Sequence, residues 1–228
     1  MDIQNAGIRQ HILDTAKPII LGKGFSAVGL NELLNSAEVP KGSFYHYFKS
    51  KEYFGEALLD SYFEAYLVRL EVLLSAEGMN GAERLMSYWQ RWLETQCGDD
   101  AETKCMVVKL GGEVSDLSEP MRLALQRGTN HIISRLADGI DEGIADGSLP
   151  NDLVAADTAL VLYNQWLGAT VLTKIWRDES ALESSMCNTE RILKHARSSD
   201  TWNNTVTSPF LRRALSNLTR QQTTDAAA

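Results

Sequence analysis

Three cysteines have the greatest chemical potential in this 228-residue chain, namely Cys97, Cys105 and Cys187. No two of them form a C-x-x-C pair, and no neighbouring pair of histidines could complete a tetrahedral zinc site. We therefore expect no metal site. An odd number of cysteines without paired spacing indicates a reducing compartment, which predicts a cytoplasmic protein without a disulfide framework.

Cys105 is the most informative of the three thiols because it follows a polar segment at the expected start of a helix. A helix N-terminus stabilises a thiolate, and Lys104 and Lys109 are close in sequence. Acidic residues at positions 99, 100 and 102 oppose this effect. Cys105 is therefore a candidate sensor, whereas Cys187 lies in a helix whose apolar stripe indicates packing or a dimer surface, and is expected to be a small buried hydrophobic residue.

Lys174 interrupts an otherwise apolar helical stretch at residues 171–176. A cation that faces a thiol stabilises its thiolate, so we predict that Lys174 lies near Cys105. A lysine that extends to solvent is the alternative. An ordinary apolar pocket is a competing sensor, and Trp89, Trp92 and Trp166 are among its candidate lining residues, although such bulky residues also form cores.

No catalytic arrangement is evident in the sequence. The segment Gly22-Lys23-Gly24 lacks the preceding strand and the remaining residues of a phosphate-binding loop. The motifs H-E-x-x-H and G-x-S-x-G are absent, and no histidine is spaced with a nucleophile. We therefore expect that the protein is not an enzyme and that it uses no cofactor.

Helical periodicity continues through the chain, and no sustained alternating run predicts strands. The fold is therefore expected to be all-α. Apolar residues between Ile8 and Ile20 predict a first amphipathic helix that ends at Gly22 and Gly24. Pro18 is expected to kink or split this helix, because its ring clashes with the preceding turn and it has no N–H to donate.

Short helices are expected next at 30–37 and 41–48, and Ser50 can cap a long helix that extends to about residue 75. Polar and glycine-rich breaks separate the segments that follow. Five further helices are predicted, at 82–97, 104–114, 119–146, 151–177 and 179–197.

The two short helices and the turn between them predict a helix-turn-helix. Phe44 and Phe48 are four residues apart, so both can face the partner helix and leave a polar outer surface. The start of the second helix is the part that enters the major groove in such motifs. The candidate DNA-binding residues on this surface are Lys41, Gly42, Ser43, Tyr45 and His46.

The run from Leu30 to Glu52 resembles the signature of the TetR family of transcriptional regulators. Residues 41–51 fill nearly every position of its pattern Lys-Gly-small-apolar-Tyr-His-x-Phe-x-Ser-Lys. The resemblance implies an N-terminal three-helix DNA-binding domain and a larger helical domain for ligand binding and dimerisation. It also implies the site roles: Ser43 and Tyr45 match positions that contact bases or phosphates, Lys41 and His46 match the groove edge, and Lys51 matches a phosphate-binding lysine.

Segments 39–48, 104–119 and 166–169 are similar to stretches of the N-ethylmaleimide repressor subgroup of that family. In that subgroup a cysteine matching Cys105 senses electrophiles or oxidants, and the repressor then releases DNA. The resemblance thus implies a repressor with an effector that acts at Cys105. Two alternatives are a regulator with a non-covalent apolar ligand and a helical interaction module that no longer reads DNA.

The distribution of charge along the chain agrees with this division into two domains. The formal net charge of −8 argues by itself against a wholly basic nucleic-acid-binding protein. Residues 1–51 nevertheless hold six Lys or Arg and four Asp or Glu, a net charge of +2, and the remainder carries −10. We predict a DNA-binding domain at 1–51, an effector-binding and dimerisation domain at 52–197, and a polar C-terminal tail at 198–228.

The expected partners are double-stranded operator DNA, a small-molecule effector and a second copy of the chain. A helix-turn-helix dimer reads two half-sites about one helical turn, or a multiple of it, apart. Gly168 permits close helix approach, and the apolar positions Leu160, Leu167, Val171 and Ile175 offer a partner surface. No apolar run reaches the roughly 18 residues that a membrane helix needs. Effector binding is expected to move the first domain through the long fourth helix.

Overall fold

The computed structural model describes residues 3–98 and 104–194, with side chains described from residue 7. The predicted tail at 198–228 lies outside these residues. Within them the chain is all-α, as predicted, and contains no strand. Its helices are α1 (Ile3–Lys23), α2 (Leu30–Ser36), α3 (Lys41–Tyr47), α4 (Lys51–Leu74), α5 (Gly81–Cys97), α6 (Met106–Val114), α7 (Glu119–Ala145), α8 (Ala155–Trp176) and α9 (Ser180–Lys194).

The first helix continues through Pro18, so the expected split of α1 is wrong. Proline costs one hydrogen bond in a helix interior, and packing must offset that loss. Leu13 and Ile20, on either side of Pro18, are both fully buried. α1 ends where Gly24 adopts a positive φ of 93°, a conformation that glycine accepts without strain.

The two short helices, α2 and α3, have weak N-caps. Gly29 and Pro40 are the N-caps of α2 and α3, and neither makes a side-chain capping bond. Ser50 caps α4 as predicted, because its Oγ accepts a hydrogen bond from the Tyr53 N–H at 3.3 Å. Packing must therefore stabilise α2 and α3, since helices of seven residues are not stable alone.

An aromatic cluster supplies that packing. Phe44, Phe48 and Phe54 are buried, and the centroids of their three rings lie 5.2–5.4 Å apart. The predicted inward orientation of Phe44 and Phe48 is thus confirmed. The cluster fixes α3 against the first turns of α4, so the outer face of α3 is held in one orientation.

The larger helices form the second half of the molecule. α4 packs along α7, and α7 also packs against α5 and α8. At Gly128 of α7 an added Cβ would lie 2.2 Å from the Phe63 ring of α4, so only glycine allows this approach. None of the described helices is both long and apolar enough to cross a membrane.

Candidate functional site

The outer face of α3 presents most of the predicted DNA-binding residues to solvent. Lys41, Gly42 and His46 are exposed, Tyr45 is 48% exposed, and Ser43 is half-buried. Nothing lies within 4 Å of a Cβ built on Gly42, so the start of the helix is open to a close partner. An exposed tyrosine beside a lysine and a histidine is a suitable surface for phosphates and base edges.

Two of these residues interact with each other. The Lys41 Nζ lies 5.9 Å from the centroid of the Tyr45 ring, a cation–π arrangement. The Tyr45 ring also meets the buried Phe44 ring edge-on, with centroids 5.6 Å apart. Tyr45 is therefore held by the core on one side and remains accessible on the other.

Lys51 has a contact that the sequence did not predict. Its Nζ donates a hydrogen bond to the Phe25 carbonyl at 2.9 Å and lies 4.7 Å from the centroid of the Phe25 ring. The ammonium group has three donors, so one such bond leaves others for a phosphate. Lys51 thus ties the start of α4 to residues 22–26, the segment at the end of α1 that leads toward α2 and that we call the head turn.

The head turn is also held from α6. The Glu113 carboxylate accepts hydrogen bonds from the backbone N–H groups of Ser26 at 2.5 Å and Phe25 at 3.2 Å. Lys109 donates to the Gly22 carbonyl at 3.0 Å. Partial burial opposes ionisation, but the bonds from Ser26 and Phe25 lower the pKa of Glu113. α6 therefore holds the head turn, and with it the end of α1, through two charged side chains.

Cys105 is the N-cap of α6 and is only 6% exposed. Burial raises the pKa of its thiol. The backbone N–H groups of Val108 and Val107, the Tyr62 hydroxyl and the Lys174 charge oppose that rise. The helix N-terminus thus favours the thiolate as predicted, but burial has the larger effect and the thiol is protonated at neutral pH.

The lysines near Cys105 in sequence have other partners. Lys104 donates to the carbonyls of Gln96 and Gly98 at the end of α5, and Lys109 is bound to the head turn. Both ammonium groups are thus held by backbone carbonyls. Lys174, which is distant in sequence, is exposed to solvent, as its alternative role predicted, but its charge also acts on Cys105.

Cys105 opens into a cavity of about 540 Å³ between α1, α4 and α5. Aromatic and cationic side chains make up much of its described lining, namely Tyr62, Tyr66, Tyr88, Trp92, Lys17, Arg69, Arg91 and Lys104. A volume of this size suits a small organic molecule.

Two residues predicted for such a pocket are placed elsewhere. Trp89 and Trp166 are fully buried and stacked on each other, with centroids 5.1 Å apart and planes 17° apart. Neither lines the cavity. The Trp166 Nε1 donates to the Thr189 hydroxyl at 2.9 Å, which joins α8 to α9. These tryptophans are core residues, and Trp92 is the tryptophan that faces the cavity.

The other two cysteines do not share this environment. Cys187 is exposed in the single chain, so it is not a core residue of one protomer: α9 faces inward through Leu182 and Thr189, and Cys187 lies on another side of the helix. Cys97 is half-buried, and burial together with Glu179 raises the pKa of its thiol to about 11. Among the described residues no group of three His, Cys, Asp or Glu side chains could hold a metal ion.

Sequence patterns missed the cavity tyrosines and the contacts to the head turn. Tyr62 and Tyr66 are four residues apart on α4, a spacing that could have indicated a shared face. Glu113 meets Phe25 and Ser26 across 88 and 87 residues, and nothing local in the sequence indicates that pairing.

Known proteins share both halves of this arrangement. A family model described as "Bacterial regulatory proteins, tetR family" matches residues 12–58, and one described as "Tetracyclin repressor-like, C-terminal domain" matches residues 81–188. The HTH-type transcriptional repressor NemR of Escherichia coli strain K12 is 42% identical over 186 residues, which cover 81% of this chain and 93% of that protein.

Other relatives agree with these matches. The HTH-type transcriptional repressor DhaR of Mycobacterium sp. strain GP1 is 31% identical over 77% of this chain and 87% of its own. The crystal structure of the reduced form of E. coli NemR matches with a TM-score of 0.78 and 40% identity, covering 84% of this chain and 100% of that one. The chain therefore belongs to the TetR family of bacterial regulatory proteins.

Proposed function

We propose that the protein is a cytoplasmic, dimeric transcriptional repressor that releases its operator when an electrophile or oxidant modifies Cys105. One observation carries the proposal: α6 begins at Cys105 and reaches the head turn through Glu113. The two residues are eight positions apart, about 12 Å along a helix axis. A short rigid element thus joins the thiol to the DNA-binding half.

DNA binding is assigned to residues 1–51, which carry the exposed face of α3 and a net charge of +2. The remaining residues, with a net charge of −10, are repelled by DNA, so contact is confined to residues 1–51, which we call the head. We assign direct contacts to Lys41, Gly42, Ser43, Tyr45 and His46. Lys51 is assigned a phosphate contact in addition to its bond with the head turn.

Dimerisation is assigned to α8 and α9. Leu160, Val171 and Ile175 of α8 are large apolar side chains exposed to solvent in the single chain. Gly168, between them, has nothing within 4 Å of an added Cβ, so a second helix can approach closely there. The regulatory role is supported by the similarity to two proteins that are both named transcriptional repressors.

Release follows from the packing around the thiol. When Cys105 adds to a maleimide, a sulfur–carbon bond forms and the thiol proton ends on the neighbouring carbon. The adduct enters the cavity beside Tyr62 of α4 and displaces the start of α6, whose buried side chains Met106 and Leu110 are close-packed and transmit the displacement. Movement of α6 displaces Glu113 and Lys109, and the head turn shifts with them. DNA affinity falls because the alkylated protein favours a conformation in which residues 1–51 lie in a different position relative to the rest of the chain.

The test is DNA binding by the purified dimer, measured by fluorescence anisotropy on DNA flanking the protein's own coding region. N-ethylmaleimide should lower the affinity of wild type and of the Cys97→Ser and Cys187→Ser variants by about tenfold or more. Cys105→Ser should bind DNA normally and keep its affinity after treatment. Release of Cys105→Ser equal to that of wild type would disprove the sensor assignment.

A further inference from the structure

Among the residues that the structure describes, the charged groups that line the Cys105 cavity are all of one sign. Lys17, Arg69, Arg91 and Lys104 line it, and no Asp or Glu is among the described lining residues. Arg91 has an exposed partner in Glu94 at 3.6 Å, and Lys104 is bound to carbonyls of α5. Arg69 lies 5.8 Å from the centroid of the Tyr66 ring and remains beside the cavity.

The polar neutral groups of the cavity include hydrogen-bond donors. Burial raises the pKa values of Tyr62, Tyr66 and Tyr88, so these hydroxyls stay protonated. The Tyr66 and Tyr88 hydroxyl oxygens are 2.8 Å apart, and one proton of the pair satisfies that bond. The second proton is available to an acceptor. The cavity is therefore lined by cations and hydrogen-bond donors, and its tyrosines carry no negative charge.

The remaining walls are apolar and aromatic. Trp92 is buried and fixed by the hydrogen bond from its Nε1 to the Thr170 hydroxyl at 3.0 Å. Leu70 and Leu73 line the wall formed by α4, and Val68 and Val72 lie at its exposed edge. A flat apolar body can lie against these residues, whereas its charged end must face the cations.

We propose that the cavity binds amphipathic organic anions: an apolar body of one or two rings lies against Trp92 and the tyrosines, and a carboxylate or sulfonate lies toward Arg69 and Arg91. The inference rests on the proposed function in that the cavity is taken as the effector site. The ligand must then carry a negative charge, which neither a reactive thiol nor an apolar pocket would require. Complementary charge in a partly enclosed cavity selects ligands by sign.

The position of Lys17 gives such a ligand a route to the DNA-binding half. Lys17 belongs to α1, whereas the other three lining cations belong to α4, α5 and the residue before the cap of α6. An anion held at Arg69 and Arg91 also attracts Lys17, which lines the same cavity, so binding acts on α1 without any covalent step. Non-covalent binding can therefore shift the head independently of Cys105.

Two fluorescent probes with the same carbon skeleton test the charge requirement. 8-Anilino-1-naphthalenesulfonate carries a sulfonate that N-phenyl-1-naphthylamine lacks. Titration of the full-length dimer should show one anionic probe per protomer, bound about tenfold more tightly than the neutral probe. Raising the salt concentration should weaken the anionic probe and leave the neutral one nearly unchanged.

Matched variants locate the effect. The double variant Arg69→Gln, Arg91→Gln should lose about tenfold in affinity for the anionic probe and keep its affinity for the neutral probe. The control is Arg122→Gln, which removes an exposed, ion-paired arginine of α7 that is not among the cavity residues. Its affinity for both probes should equal that of wild type. Circular dichroism melting checks that each variant is folded.

Equal affinity of wild type for both probes, or an equal loss of both in the double variant, would overturn the proposal in favour of a purely apolar cavity. Cys105→Ser separates the two hypotheses, because it should keep the preference for the anionic probe. If this variant keeps the preference yet still releases DNA with N-ethylmaleimide, the sensor assignment fails and the anion site stands. If maleimide releases DNA only when Cys105 is present, but the protein binds both probes equally, the anion site fails and the sensor assignment stands.

Discussion

Cys105 combines a raised pKa with a position beside a cavity, and these two properties act in opposite directions on its reactivity. The thiolate is the nucleophile, so a protonated thiol reacts slowly with electrophiles in solution. A molecule held in the cavity lies next to the sulfur, and proximity can offset the small thiolate fraction. Selective sensing then depends on which molecules enter the cavity.

Lys174 lowers the pKa of this thiol, and its removal provides a prediction. Lys174→Gln should raise the pKa of Cys105 further, because the nearby positive charge is lost. At pH 7.5 the alkylation rate of Cys105 by N-ethylmaleimide should fall, since a higher pKa leaves a smaller fraction of the thiol as thiolate, and the thiolate is the nucleophile. Mass spectrometry of the Cys105 peptide at timed intervals measures the rate.

The matched control is Lys194→Gln, which removes an exposed lysine paired with Glu190 at the end of α9. Its alkylation rate should equal that of wild type. In all three proteins the rate should increase as the pH rises from about 7 to about 9, because the raised pKa lies above this range. A Lys174→Gln rate equal to wild type across that range would show that the lysine does not act on the thiol.

Lys51 has a structural contact and a proposed phosphate contact, and one variant separates them. Lys51→Met should lower the free energy of unfolding by about 1 kcal/mol, because the bond to the Phe25 carbonyl is lost. If Lys51 of each protomer also neutralises a phosphate, the variant dimer should make about two fewer phosphate contacts. The slope of log affinity against log salt concentration should then be shallower by about two. Chemical denaturation and anisotropy at several salt concentrations measure the two effects.

Lys49→Met is the comparison for this variant, because Lys49 is exposed and the contact that the structure shows for it is with the Tyr53 ring. It should change unfolding little. Reduced stability of Lys51→Met with an unchanged salt slope would contradict the phosphate contact and leave Lys51 as a structural residue.

Among the helices, α6 is the short connection between the cavity and the head turn. Its start is capped by Cys105, and its far end carries Glu113 against the N–H groups of Phe25 and Ser26. The other connection is α4, which has 24 residues whereas α6 has nine. Both helices can transmit a change, because Lys51 on α4 holds the same turn from the other side.

Glu113→Gln tests this connection. The variant should keep the alkylation rate of Cys105 but lose most of the effect of alkylation on DNA affinity, because the amide holds the two N–H groups less strongly than a carboxylate does. Anisotropy before and after N-ethylmaleimide treatment gives the ratio of affinities. The control is Glu119→Gln, which removes an exposed carboxylate of α7 that pairs with Arg122. A wild-type ratio in Glu113→Gln would assign transmission to α4.

The lowered pKa of Glu113 also sets the sign of a pH effect on stability. A carboxyl with a depressed folded-state pKa stabilises the fold above its unfolded pKa of about 4.3 and loses that contribution as the pH falls through the folded value. Wild type should therefore lose stability below about pH 4 more steeply than Glu113→Gln. Chemical denaturation of both proteins across this acidic range measures the difference, and parallel curves would contradict the assignment.

In the whole molecule, the exposed apolar side chains of α8 predict a dimer. Ile175→Glu should shift the protein toward monomer, because a charge would then face the second copy's apolar surface. Operator affinity should fall by about tenfold or more, since a single head reads only one half-site. Sedimentation velocity at micromolar concentration measures the assembly. Leu117→Glu, which changes an equally exposed residue outside α8 and α9, should remain dimeric.

Local patterns in the chain were sufficient to predict the helical fold class, the aromatic side of α3 and the capping of α4 by Ser50. These features depend on periodicity and on contacts within a few residues, such as Phe44 with Phe48. Helix ends were less predictable, because a residue such as Cys105 serves as a cap instead of joining the first turn. α1 continues through Pro18, where a local rule predicted a kink or a split, because the buried turns on both sides of the proline stabilise the helix.

The surroundings of Cys105, and the way its helix reaches the DNA-binding half, became visible only in the folded molecule. Lys104 is next to the thiol in sequence, but its ammonium group binds carbonyls at the end of α5. The bond from Phe25 to Glu113 likewise joins residues 88 positions apart. Packing of whole helices brings such groups together, and neither charge nor spacing along the chain contains that information.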